Sequence, residues 1–204
     1  MIFKNYRWCD ESHFATGLQR QALVHRRRGQ NNREKLSKTQ YKLKRTNQTI
    51  HVFATISWDF KGTLHFYIGT GKQGRLIQAD YIKILEEVVA PEWDENLIFV
   101  EDNDGPHGTK GKADNKVKQA KIRLGIKWEA QPSNSPDLNP IETIWRTIKQ
   151  RLKSRGVIFS VEALKQAIQE EWDKITINEI NKVISTMPDR VTSLNERFGK
   201  PIPF

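Results

Sequence analysis

Three carboxylates in this sequence, Asp10, Asp102 and Glu142, fall where separate secondary-structure elements would bring them to one place. Oxygen donors of this kind suit hard divalent cations such as Mg²⁺ or Mn²⁺. The chemistry that needs several of them together is phosphodiester transfer, in which two divalent ions about 3.5 to 4 Å apart neutralise charge at the phosphate and activate a weak oxygen nucleophile. Such a site wants its acids at strand ends and on a facing helix, because rigid elements fix their positions. Taken singly, each acid also has a plainer reading: Asp10 as a solvated acid on an edge strand, Asp102 as a turn former, Glu142 as an ordinary helix-start acid. Spacing alone does not choose between the two.

The elements that must position these acids are written in the apolar periodicity. Residues 6–14 (YRWCDESHF) alternate large and polar side chains as a strand does, with Asp10, Glu11 and Ser12 in the middle. Residues 50–58 (IHVFATISW) are rich in β-branched and aromatic types and predict a central strand; Lys61-Gly62 predicts the turn into a hairpin partner at 63–69. Tyr81, Ile84, Leu85 and Val88 recur at helical spacing up to Pro91. The run NLIFV at 96–100 predicts a buried strand whose C-terminal end presents Glu101 and Asp102. A helix over 113–124 and a short strand over 126–129 follow.

The turn-rich loop SNSPDLNP then leads into the best-signalled helix. Asn139 caps it, Pro140 fits its first turn, and Ile141, Ile144, Trp145, Ile148 and Leu152 form one apolar stripe. Glu142 lies beside that stripe in the first turn, where the helix dipole favours a carboxylate and where Arg146 stands one turn away for pairing. Ser160 caps a helix carrying Leu164, Ile168 and Trp172, and Thr176 with Glu179 has capping-box spacing ahead of Ile180, Val183, Ile184 and Met187. The order of elements is mixed α/β, suited to one sheet covered by helices.

A chain of 204 residues that is 37% hydrophobic can build one core, and no Pro, Gly or Ser-rich linker divides it. Its 34 Lys and Arg against 24 Asp and Glu give a formal charge of +10, which favours a polyanionic partner over a neutral one. The excess is concentrated between Gly17 and Thr49, where Arg20, Arg26, Arg27, Arg28, Arg33, Lys35, Lys38, Lys42, Lys44 and Arg45 face Glu34 alone. Interleaved Leu23, Val24, Leu36, Tyr41 and Leu43 predict a partly ordered segment with its cations turned outward to phosphate. Cys9 is the only cysteine, so no internal disulfide forms and a reducing, intracellular setting is expected. No apolar run approaches the roughly 20 residues of a membrane span.

The segments around the three acids, WCDESHF, VEDNDGPHGT and SNSPDLNPIETIW, resemble in order the three catalytic blocks of the mariner superfamily of DDE transposases, on its Tc-like branch. ATISWDFKGTLHF, YIKILEEVVAP and STMPDRV also resemble the family, so the likeness runs from Trp8 to about Arg190. PDLNPIE is the most specific motif, DND with His107 is intermediate, and DES is weak. By position the resemblance places the family's catalytic and metal-binding acids on Asp10, Asp102 and Glu142. The fold it implies is ribonuclease H-like, a mixed five-stranded sheet with helices on both faces. The domain it implies is a single catalytic one over residues 1–204, with a core to about 155 and C-terminal helices from about 156 onward.

The activity implied is cleavage and integration of DNA by a cut-and-paste transposon. It would use two Mg²⁺ or Mn²⁺ ions, double-stranded DNA at transposon ends and target, a homodimer or larger assembly, and the nucleus as its compartment. Two departures stand. The interval from Asp102 to Glu142 is longer than in the best-known branch, with GTKGKADNK as the expected surface insertion. The chain also begins near the first catalytic strand, without the family's N-terminal helix-turn-helix region, as a truncated copy, a fragment or a gene read from an internal Met would. A silent or domesticated DNA-binding descendant and a nuclease of RNA–DNA hybrids remain as alternatives. His107 and Asn103 could position substrate or support metal ligands, but a His in a Gly/Pro loop is more often a structural hydrogen-bonder; Asp104 and Asp137 are read as turn residues, Asn139 as a cap and Trp145 as core.

Overall fold

Strand β1 (Tyr6–Ala15) lies at the centre of the sheet in the computed structural model, which describes residues 3–18, 48–108, 115–132 and 135–197. Most of the basic block at 17–49 and of the insertion at 108–116 lies outside the described residues. Strand β1 pairs antiparallel with β3 (Thr49–Ser57) on one side and parallel with β6 (Ile98–Glu101) on the other. Beyond β6 lies β7 (Trp128–Ala130), also parallel. A separate small ladder joins β2 (Gly17–Leu18) to β8 (Val157–Ile158).

The opposite edge is one interrupted strand. Segments β4 (Phe60–Lys61) and β5 (His65–Tyr67) both pair antiparallel with β3, at its two ends. The sheet is therefore five positions wide among the described residues, as expected. The turn, however, is not at Lys61-Gly62. Ser57 pairs with Phe60, so the two-residue loop is Trp58-Asp59, and Asp59 takes a left-handed φ of 58° that a short polar side chain tolerates. Gly62 instead marks a close approach: a Cβ there would come 2.4 Å from Thr55 Oγ1.

Alternation along the strands feeds two apolar layers. Trp8, Phe14, Val52, Ala54, Ile56 and Val100 face one side, where α3 (Pro140–Ser154) lies across the sheet with Ile141, Ile144, Trp145, Ile148 and Leu152 buried. The same cluster takes in Leu164, Ile168 and Trp172 of α4 (Val161–Asp173), Ile180 and Ile184 of α5 (Ile177–Ile184), and Met187 at the start of α6 (Met187–Glu196). Trp145 and Trp172 stack with ring centroids 5.4 Å apart. Cys9, Phe53 and Phe99 face the other side, against α1 (Gln78–Ile84) and α2 (Lys116–Arg123).

A π-helical turn over Leu85–Val89 continues α1 and shifts its register, so Val89 is buried where Val88 was expected. Long polar side chains lock the hairpin to the helices. Lys61 Nζ donates to the carbonyls of Trp172, Asp173 and Ile175 at the C-terminus of α4 (2.8–3.2 Å), and Asn181 Nδ2 donates to Asp59 Oδ1 at 2.6 Å.

Candidate active site

Three separate elements bring Asp10, Asp102 and Glu142 to one cleft of about 300 Å³, lined also by Asn103, Gln131 and Asn139. Asp10 sits in mid-strand on β1, on the same face as Trp8 and Phe14, and so looks toward α3. Glu142 occupies the first turn of α3. Asp102 follows the last residue of β6, where strand pairing no longer constrains it.

The N-terminus of α3 is fixed onto β1 by one side chain. Asn139 accepts from the Ile141 N–H at 3.4 Å as helix cap, and its Nδ2 donates to the Cys9 carbonyl at 3.1 Å, one residue before Asp10. Arg190 of α6, buried, secures the preceding turn. Its guanidinium donates to the Asp137 carbonyl (2.9 Å) and to Thr143 Oγ1 (3.1 Å), beside Glu142. The late motif STMPDRV thus acts on the loop PDLNP. The expected pairing of Glu142 with Arg146 does not occur. Arg146 is exposed, where a surface pair gains little, and the α3 cation that does pair is Arg151, with Glu179 at 2.9 Å.

The cleft is strongly acidic. Burial, and then the charges of Glu11, Glu142 and Asp102, push the Asp10 carboxyl well above the usual range. Asp10 Oδ2 is buried and has no hydrogen-bond partner among the described residues. An orphaned oxygen beside two further carboxylates is an all-oxygen donor set of the kind hard divalent cations take. The cleft is open rather than a closed cage: among the described residues no three His, Cys, Asp or Glu side chains already converge as a metal-holding group.

Asp102 is held by a buried histidine. His107, 2% exposed, closes a 3₁₀ turn at Gly105–His107; its Nδ1 lies 2.6 Å from Asp102 Oδ1 and its Nε2 3.1 Å from Glu11 Oε1. Burial by itself would lower the His107 pKa. The charge of Glu11, hydrogen bonds to Asp102 and Glu11, and the charge of Glu101 outweigh it and hold the ring well above the ordinary imidazole value. Asp104 turns out to cap this turn, accepting from the Gly105 N–H at 3.1 Å. Gly108 ends it at a left-handed φ of 65°, and a Cβ there would strike Asn115 and Val117 at the start of α2.

Below lies an ion pair that sequence reasoning missed. Lys121 and Glu101, both fully buried, bond to each other; Lys121 Nζ also donates to the His107 carbonyl at 2.9 Å, and Tyr81 Oη to Glu101 Oε2 at 2.7 Å. Its signal was present: Val117, Ala120 and Lys121 share one helix face, and Glu101 shares the inward face of β6 with Phe99.

Sheet order, mixed strand directions and an acid-bearing helix across the central strands define a ribonuclease H-like fold. The catalytic domain of Mos1 mariner transposase superposes with a TM-score of 0.70 at 13% identity, covering 99% of this chain and 86% of that one. The Mos1 mariner paired end complex with Mn gives 0.71 at 15% identity, over 98% of this chain and 57% of that one. The family model described as DDE superfamily endonuclease matches residues 5–165, and the chain belongs to that family. The Transposable element Tcb1 transposase of Caenorhabditis briggsae is 31% identical over 161 residues, 76% of this chain and 55% of that protein. The Transposable element Tc3 transposase of Caenorhabditis elegans is 32% identical over 107 residues, 52% of this chain and 31% of that protein. The chain thus spans about half the length of the first of these relatives, and less of the second.

Proposed function

We propose that this chain carries out metal-dependent DNA cleavage and strand transfer for a cut-and-paste transposon, with Asp10, Asp102 and Glu142 holding the divalent ions. The observation that carries this reading is the convergence of three carboxylates on one cleft, above all the buried Asp10 Oδ2, which has no hydrogen-bond partner among the described residues. Mg²⁺ or Mn²⁺, as a pair of ions, would supply charge neutralisation at the phosphate and activation of the attacking oxygen. Solved relatives of the same fold with Mn and with Mg support the metal class.

Asp10 and Glu142 present oxygens from a strand and a helix that Asn139 ties together, while Asp102 presents its own from a loop. The substrate is double-stranded DNA, first a transposon end and then a target. Basic residues between Gly17 and Thr49 contribute phosphate contacts without sequence choice. Paired-end complexes among the Mos1 structures support a homodimer or larger assembly on DNA; the nucleus is the compartment this reading assigns to it. All the described elements serve one catalytic unit in this reading, since α4 and α5 share an apolar cluster with the sheet. No described helix is long and apolar enough to cross a membrane.

The test is nicking of supercoiled plasmid with MgCl₂ or MnCl₂. Wild type is expected to nick only with metal, and Asp102→Asn to lose at least about 100-fold, beyond what loss of an outer-shell partner costs. Equal activity in both proteins, or none in either with DNA binding intact, would instead support a non-catalytic DNA-binding protein.

A further inference from the structure

Of the three acids, Asp102 alone has no regular element to hold it. Asp10 is flanked by ladder pairs of β1 with β3, and Glu142 is within α3, but β6 ends at Glu101 and the next residues are loop. Something else must fix the Asp102 carboxylate. Its Oδ1 accepts the Asp104 N–H of its own loop at 2.9 Å, and His107, buried, reaches the same oxygen at 2.6 Å from outside that loop segment. The ring in turn is braced from two directions: by Glu11 at 3.1 Å, which reaches it from the face of β1 opposite Asp10, and through its own carbonyl by the ammonium of Lys121 at 2.9 Å. The Glu11 side chain is only 14% exposed, so little water competes with this contact.

We infer that Glu11 and His107 are positioning residues that hold the Asp102 carboxylate ready for a divalent cation, with Lys121 anchoring the turn beneath them. This rests on the metal-binding reading of the cleft given above. A ligand's orientation set by a hydrogen-bonded partner behind it commonly controls metal affinity, and losing such a partner weakens it by about 10- to 100-fold.

Calorimetric titration of MnCl₂ into the full chain tests both statements separately, with thermal melting of each variant as the check on folding. Wild type should bind Mn²⁺ and Asp102→Asn should not. Glu11→Ala should weaken binding by about 10-fold or more. Glu11→Gln, which loses the charge but keeps an oxygen to accept the Nε2 proton, should stay within about 3-fold of wild type. His107→Gln should resemble Glu11→Ala; if it fails to fold, the Glu11 pair decides alone. A merely structural role would lower the melting temperature of Glu11→Ala and leave Mn²⁺ affinity unchanged, and that result overturns the inference while leaving the metal reading intact. Equal weakening in Glu11→Ala and Glu11→Gln also overturns it, since charge rather than orientation would then be responsible. Absence of Mn²⁺ binding in wild type would sink the metal reading and this inference with it.

Discussion

Replacing Lys121 by Met should be among the most damaging single changes outside the acids, although the residue lies on a helix rich in surface lysines. Its ammonium is fully buried, bonded to Glu101 and donating to the His107 carbonyl. Removing it leaves the Glu101 carboxylate fully buried with the Tyr81 hydroxyl as its remaining donor in this network. Breaking a buried ion pair from one side costs about 3–5 kcal/mol, a large part of the roughly 5–15 kcal/mol a domain has in total. For a chain of this length that is a fall in Tm of about 6–20 °C. Burial already raises the Glu101 pKa against the attraction of Lys121 and His107, so without Lys121 the carboxyl protonates more readily, which limits the loss. The double variant Lys121→Met with Glu101→Gln removes both charges and keeps an acceptor for Tyr81, and should recover more than half of the cost, because neutral replacement of a buried pair is often tolerated. Urea denaturation at pH 7 measures both, with the slope m checked for two-state behaviour. A cost below about 1 kcal/mol for Lys121→Met, well under the range for a broken buried pair, would refute the reasoning. So would a double variant less stable than the sum of the two singles.

Asn139→Ala should cost about 2–3 kcal/mol, combining a lost helix cap with a lost bond to the Cys9 carbonyl, whereas Asn139→Ser keeps a capping oxygen without adding charge to the acidic cleft and should cost less; equal costs in urea denaturation would show that the cap contributes nothing. Glu171, buried on α4, has its carboxyl held below the usual range: burial would raise it, but hydrogen bonds from Lys174 and Arg155 and the charge of Arg155 win. Its contribution is therefore present at neutral pH and lost as pH falls through the folded-state value, so Glu171→Gln should be less stable than wild type at pH 7 and the gap should narrow below about pH 5. A gap in urea midpoints independent of pH would contradict this.

What the sequence made legible was what local rules decide. Alternation placed β1 and β3 and the cap-and-stripe pattern placed α3, the elements that carry Asp10 and Glu142; that these acids belong to one site came from the resemblance of the segments around them. What stayed hidden was settled by groups distant in the chain. The hairpin turn moved because Asp59 could adopt left-handed backbone and bond to Asn181, while Gly62 was needed for close approach to Thr55. Val89 displaced Val88 because one π-helical turn changes which side chains share a face. Arg190 was visible within a motif, but its grip on the loop before α3 spans 53 positions and has no local signature.

The same distinction separates the three acids. Asp10 and Glu142 inherit their placement from regular elements that sequence periodicity finds. Asp102 depends on His107, which depends on Glu11 from another strand and Lys121 from another helix. A lysine on the inward face of α2 is the one local irregularity that betrays this arrangement, since a buried ammonium requires a buried carboxylate and the nearest inward acid on β6 is Glu101, immediately before Asp102. An unpaired-looking charge on an apolar face is therefore a pointer toward the active site even where no motif marks it.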